Sequence, residues 1–193
     1  MNAKDKWNRK YMERLMNEHP PEPNGRLLKM AAYLHGKTAI DFASGLGGNS
    51  FYLAELGYNM TAIDISDVAV QYVKEQAAKR GLNITANVVD FTDERSCLTS
   101  RTYDLAIMTY YLDRSLFPLI KDVVNDNGYL FFETFYKHKG AENGHVSSQY
   151  KLESNELLKE FGDWKILFFE ENELEGRQTI FCQKTNRINP TLK

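Results

Sequence analysis

The chain predicts an α/β fold, a mainly parallel sheet with helices on both faces, and three observations carry that reading. Short apolar runs at 38–43, 59–63, 84–89, 103–108 and 128–135 are interleaved with segments of helical spacing at 48–56, 66–80 and 114–124. A parallel sheet with crossover helices requires that rhythm. The first apolar run leads through Asp41-Phe42-Ala43-Ser44 into the glycine-rich turn Gly45-Leu46-Gly47-Gly48-Asn49, and the second ends on Asp64. Two late apolar runs, 164–169 and 177–182, flank a polar, glycine-containing turn, which is the pattern of an antiparallel hairpin.

Taken in order, residues 5–18 place Trp7, Tyr11, Leu15 and Met16 at helical spacing and predict a short amphipathic helix. The stretch from His19 through Pro20, Pro21 and Pro23 to Gly25 breaks it, and 26–35 predicts a second helix before Gly36-Lys37. Ser66 is placed to cap the helix over 66–80 and Gly81 to stop it. The longest loop-like stretch, Lys137 to Ser148, follows a strand end, where such sheets put their ligands. A helix over 155–161 precedes the hairpin. This divides the chain into an N-terminal helical lid (1–36), a core (37–185) and a short tail (186–193).

Bulk properties narrow the function classes. With 193 residues the chain is one domain's length, enough to bury about 70% of its unfolded surface. A net charge of −2 and a pI near 6.1 argue against nucleic acid or an anionic membrane as partner. No apolar run reaches the length of a membrane span and the polar start does not read as a signal peptide, so a cytoplasmic setting is expected. Cys97 and Cys182 have no partner pattern, so neither a metal site nor a disulfide is expected.

The turn and its neighbours carry chemistry. Glycines at 45 and 47 let the backbone lie against a ligand with no Cβ between them. The helix starting there offers free N–H groups to an anion such as a carboxylate. Asp41 at the strand end can hold a cationic amino group, Asp64 can accept from both hydroxyls of a ribose, and Asp90-Phe91 can accept from an exocyclic amine and pack on adenine. Carboxylate, amine, ribose and adenine together describe S-adenosylmethionine better than a dinucleotide.

These segments resemble the class I S-adenosylmethionine-dependent methyltransferases, in particular the small TehB-like (tellurite resistance) and thiopurine-methyltransferase-like branch. The similarity runs over about 5–185. It rests on the stretch from Asp41 to Ala54, on Gly57 to Ser66, on Val89-Asp90-Phe91, Tyr103-Asp104-Leu105 and Gly128-Tyr129-Leu130, on Glu133-Thr134-Phe135, and on Trp7-Asn8-Arg9-Lys10-Tyr11. It departs at Ala43-Ser44-Gly45-Leu46 and at Gly48, where an arginine is frequent. The resemblance implies a single-domain, Rossmann-like, seven-stranded sheet with a reversed last strand. It further implies that Ser44, Gly45 and Gly47 meet the methionine part with Asn49 nearby, and that Asp64 binds ribose with Ile65 beneath the base. Asp90 and Phe91 would contact adenine, Thr109 would line the sulfonium region, and Tyr11 would fold over the cofactor.

No residue declares itself as a general base. Thr109-Tyr110-Tyr111-Leu112 is not the Asn/Asp-Pro-Pro-aromatic signature of enzymes that methylate exocyclic amines of bases. Tyr110, His138 and Arg177 are the catalytic candidates on an acceptor side that also holds Trp7, Glu133, His145 and Tyr150. Each has a plainer reading: Trp7 and Tyr11 as packing, Tyr110 as loop packing, the histidines as solvated loop residues, Phe91 as core, and Arg177 as the partner of Glu170, Glu171 or Glu175. Such a rim suits a small soft acceptor: a thiol, a metalloid oxyanion or an amine. Tellurite-type relatives often use a histidine–arginine pair in the last hairpin, and only the arginine is present here, in Glu173-Leu174-Glu175-Gly176-Arg177.

Two other classes compete. A nicotinamide-dependent oxidoreductase would need a third glycine or alanine where Ser50 stands and a second domain for hydride transfer. A non-catalytic cofactor- or protein-binding module shares every feature above, since methyl transfer has no obligatory base. RNA or protein as acceptor is disfavoured by the lack of a basic patch.

Overall fold

In the computed structural model the described residues are 2–17, 20–91, 101–138 and 146–185. They form a seven-stranded sheet: β1 (Thr38–Phe42), β2 (Asn59–Asp64), β3 (Ile84–Val88), β4 (Tyr103–Thr109), β5 (Val124–Phe135), β6 (Lys165–Asn172) and β7 (Arg177–Gln183). The order across the sheet is β3-β2-β1-β4-β5-β7-β6. Strands β1 to β5 pair in parallel, and β7 inserts antiparallel between β5 and β6. The fold class and the terminal hairpin match the expectation from sequence.

Helices α1 (Ala3–Met16), α2 (Gly25–Lys29), α3 (Gly48–Glu55), α4 (Asp67–Arg80), α5 (Phe117–Val123) and α6 (Glu156–Glu160) surround the sheet. Ser66 caps α4 by accepting from Ala69 N–H, and Gly81 ends it in the left-handed conformation, as expected. Two predicted helices are shorter than their patterns suggested. The span 26–35 becomes α2 and a separate 3-10 turn over Ala31–Tyr33, and 114–124 becomes a 3-10 turn over Arg114–Leu116 followed by α5. In both, an upstream side chain decides the start: Asn24 accepts from the N–H groups of Arg26 and Leu27, and Asp113 from that of Ser115. The helix expected over 155–161 is a single turn, α6.

The strands alternate sides with period two, and that parity positions the site. Ile40, Phe42, Ala106, Met108, Leu130, Phe132, Ile180 and Cys182 fill one core, under α5 and α6. Ala39, Leu105, Ile107, Phe131 and Phe181 fill the other, with Leu27, Met30 and Leu34 from the N-terminal segment and Leu53 and Ala54 from α3. Both sides of β4 are buried, which explains its near-continuous apolar sequence. No helix among the described residues is long and apolar enough to cross a membrane.

Candidate functional site

On the α2/α3 side the apolar stripe turns polar at the carboxyl ends of the strands. Asp41 follows Ala39, Thr109 follows Leu105 and Ile107, and Glu133 follows Phe131. Register aligns Thr109, Glu133, Thr179 and Glu170 in one row, and Phe135, Arg177 and Asn172 in the next. Polar side chains at positions that packing alone would fill with hydrocarbon mark a functional edge.

Asp41 is buried beneath α3. Its Oδ2 accepts from the Ser50 hydroxyl at 2.7 Å, while Oδ1 is buried with no hydrogen-bond partner among the described residues. Burial, assisted by the charge of Asp64 and opposed by the Ser50 hydrogen bond, pushes its carboxyl up to about 7. An orphaned carboxylate oxygen of this kind is where a cationic amine fits.

The glycine turn lies beside it. Gly45 and Gly47 have φ of +54° and +83°, in the left-handed region, and Gly47 starts α3 without a side-chain cap. Ser44 N–H donates to Ile63 and its carbonyl accepts from Gly47, which ties the turn to β2. Asp64 accepts from Gly45 N–H at its Oδ2 and from Ser66 N–H at its Oδ1, both at 2.9 Å, with further hydrogen bonds from the Tyr11 hydroxyl and the Ile65 backbone. Burial raises its carboxyl above the usual range despite these bonds. A carboxylate offers about four lone-pair sites, so this one is already filled, and the Tyr11 hydroxyl occupies part of what a ribose would use. Tyr11 is buried, stacks on Trp7 (5.6 Å between centroids) and packs with Leu46 and Ala69. Burial foremost, then the charge of Asp64, pushes its phenol up.

Asn49 does not point an unused amide at the turn. Its Oδ1 accepts from Asn24 N–H (2.8 Å) and its Nδ2 donates to Thr109 Oγ1 (3.1 Å). Ile65 is half-buried next to Asp64, and Asp90 is half-buried just beyond β3. Phe91 is buried between Phe42 and Tyr111, in the main core, so the plainer packing reading describes its ring. Cys182 is buried in the same core, and burial pushes its thiol up. His145, Cys97 and the tail expected over 186–193 lie outside the described residues.

Two residues that sequence reading missed organise the other half of the site. Segment 20–24 crosses the start of α3 so closely that a Cβ on Gly48 would lie 2.2 Å from the Glu22 carbonyl oxygen. This explains why no arginine stands at 48. The segment is fastened by Asn24, whose Nδ2 donates to Tyr110 Oη (2.8 Å) and Glu133 Oε1 (2.7 Å), and by Arg26, which pairs with Glu133 (3.3 Å), Glu170 (2.5 Å) and Glu175 (2.9 Å). Glu133 is fully buried and also accepts from Thr179 Oγ1 (2.8 Å) and Arg177 Nη1 (3.3 Å). Arg177 therefore pairs with Glu133, and it is Arg26 that takes Glu170 and Glu175; the expected pairing of Arg177 with the glutamate-rich turn is corrected. Arg177 comes from β7, already facing Glu133 by strand parity, while Arg26 approaches from outside the sheet.

Tyr110 and Arg177 are brought together, with the guanidinium carbon 4.4 Å from the ring centroid. His138 instead stacks on Tyr136 at 5.2 Å. A groove of about 530 Å³ bordered by Arg114, Lys137, Glu153, Glu156 and Lys159 shares no residue with this cluster; Arg114 pairs there with Glu156 and Lys137 with Glu153. Among the described residues no group of three or more His, Cys, Asp or Glu is placed to hold a metal ion.

Comparison with known proteins follows the same lines. A family model described as tellurite resistance protein TehB matches residues 22–191. A probable S-adenosyl-L-methionine-dependent methyltransferase TehB from Haemophilus influenzae is 26% identical over 172 residues, covering 86% of this chain and 58% of the relative. The crystal structure of TehB from that organism superposes with a TM-score of 0.71 at 22% identity, covering 84% of this chain and 62% of that one. The chain thus spans less than two thirds of the length of these relatives. A 2-heptyl-1-hydroxyquinolin-4(1H)-one methyltransferase from Mycobacteroides abscessus is 33% identical over 75 residues, covering 37% of this chain and 33% of that one.

Proposed function

The chain belongs to the TehB family, and from that premise we propose that it is an S-adenosylmethionine-dependent methyltransferase acting on a small-molecule acceptor. The observation that carries the proposal is the buried Asp41 with its unpartnered Oδ1, set beneath a two-glycine turn one strand away from Asp64. The name of the Haemophilus influenzae relative supports the cofactor, and that of the Mycobacteroides relative supports a small acceptor.

When bound, the cofactor supplies a methyl carbon activated by its positive sulfur. This chain's residues would bind and orient. Asp41 would take the amino group, the uncapped start of α3 the carboxylate, and Ser44, Gly45 and Gly47 the methionine chain. Asp64 would bind the ribose in exchange for its hydrogen bond to Tyr11, whose ring then covers the sugar. Ile65, Asp90 and the backbone of Phe91, whose ring packs in the core, would border the adenine and Thr109 the sulfonium. Asn49 serves indirectly, by fastening segment 20–24 over the start of α3. With positioning and exclusion of water supplying the acceleration, no general base is required.

Titration calorimetry against S-adenosylhomocysteine, with NAD in parallel, tests the reading. Micromolar affinity for the former alone is expected, and binding of NAD alone, or of neither, would overturn it.

A further inference from the structure

Resting on the methyltransferase reading, we propose that the acceptor is an uncharged planar aromatic compound bearing a hydroxyl, thiol or amine. It would stack against the face made by Tyr110, Arg177 and Phe135. The two rings lie 6.2 Å apart, and the Arg177 guanidinium carbon sits 4.4 Å from one centroid and 5.4 Å from the other. Tyr110 directly follows Thr109, at the strand end where the methyl group would arrive, and is 46% exposed. Its φ of +59° is costly for an aromatic residue. The surrounding hydrogen bonds hold it there and present the ring, as strained residues at working sites do.

Charge separates a neutral acceptor from an oxyanion. Arg177 is compensated by Glu133, and Arg26 by Glu133, Glu170 and Glu175, with Lys29 near Glu175 at the outer edge. Three cations thus face three carboxylates, and Arg177 contributes a flat polarisable surface without net positive charge. An oxyanion would have to take Arg177 from a fully buried Glu133 and leave that carboxylate underpaired, a costly exchange. A neutral ring displaces nothing.

In the transfer the acceptor's lone pair bonds to the methyl carbon as the carbon–sulfur bond breaks. The bonding electrons stay on sulfur, which becomes a neutral thioether, and the acceptor's proton leaves to water.

Quinolin-4-ol and its 2-carboxylate share one ring system and differ in charge. With protein saturated in S-adenosylhomocysteine, quinolin-4-ol is expected to bind about tenfold more tightly than the carboxylate, and Glu133→Gln, by leaving Arg177 unopposed, to reverse that order. Equal weakening of both ligands by Glu133→Gln, the mark of a purely structural role, would overturn the inference. Should Glu133→Gln fail to fold, Arg177→Gln should lower quinolin-4-ol affinity about tenfold through loss of the stacked plane. Preference of the wild type for the carboxylate, binding of neither ring, or methyl transfer to tellurite but to no aromatic acceptor would overturn the inference alone. Failure to bind S-adenosylhomocysteine would remove the methyltransferase reading and the inference together.

Discussion

Asp41 occupies a position that strand parity would give to a core hydrocarbon, and its ionisation should therefore be visible in bulk measurements. An aspartate in the unfolded chain titrates near 3.8, and the folded value is about 7. Between those values the native state holds a proton that the unfolded chain has released, so stability falls as pH rises through this window. Asp64, also raised, acts in the same direction. The urea midpoint of the ligand-free protein should be higher at about pH 5 than at about pH 8, and Asp41→Asn should flatten that difference. A cationic amine favours the ionised form, so wild-type affinity for S-adenosylhomocysteine should rise over the same pH range. Equal affinity at both pH values would remove Asp41 from the amine site. Asp64→Ala should weaken that ligand by about 1–3 kcal/mol through lost bonds to a charged acceptor, and unchanged affinity would overturn the ribose assignment. Both aspartates were legible in the sequence, Asp41 because it interrupts the apolar run that leads into the glycine turn and Asp64 because it ends the next apolar run. Asn24 and Arg26 were not, because a proline-rich stretch reads as punctuation. Their partners, Tyr110, Glu133, Glu170 and Glu175, lie between 86 and 149 positions away.

The element that sequence reading undervalued is segment 20–24, which works as a strap. It is held at its end by Asn24 and Arg26, and it lies on α3 where the helix has no side chain. Gly48→Ala places a methyl group 2.2 Å from a backbone carbonyl oxygen, which cannot rotate away as a side chain can. The strap must lift or α3 must shift, at a cost of about 1–3 kcal/mol. A thermal melt should show the loss, and calorimetry should show weaker S-adenosylhomocysteine binding. A variant equal to the wild type in both would mean that the strap does not govern the site. The frequent arginine at this position is incompatible with so close a crossing, so the departure noted in the sequence reflects a packing arrangement. One available signal was overlooked: the stripe Leu105, Ile107, Thr109 in β4 and its neighbour Phe131, Glu133 in β5 each change from apolar to polar at the same row.

At the scale of the whole molecule, alternation of strand and helix was enough for a mainly parallel sheet with helices on both faces, and two apolar runs around a polar turn were enough for the hairpin, because both follow from local periodicity. The count of seven strands and the reversed last strand came from the family resemblance, and the insertion of β7 between β5 and β6 is a non-local pairing that periodicity does not carry. Periodicity did not reveal which parts of the N-terminal region belong to the core. Leu27, Met30 and Leu34 are buried with Phe131 and Phe181, whereas α1 packs outside the sheet, through Trp7, Tyr11 and Leu15 against Leu46, Ala69 and Tyr72. Asn8 adds a 2.6 Å hydrogen bond from the Ser66 hydroxyl, and Lys4 an ion pair with Asp67. Removing residues 1–18 therefore leaves both main cores intact, and the truncated protein should still melt cooperatively. What it loses is the cover over the turn: the Tyr11 hydroxyl lies within 3.0 Å of where a Cβ on Gly45 would be. Deletion frees a lone pair on Asp64 for the ribose but opens that sugar to water, and water competes for each hydrogen bond. Faster dissociation of S-adenosylhomocysteine, by about tenfold in stopped-flow displacement, is the expected result, with Tyr11→Phe falling between the truncation and the wild type. A truncated protein that folds and releases the ligand at the wild-type rate would show that α1 is packing and not a lid.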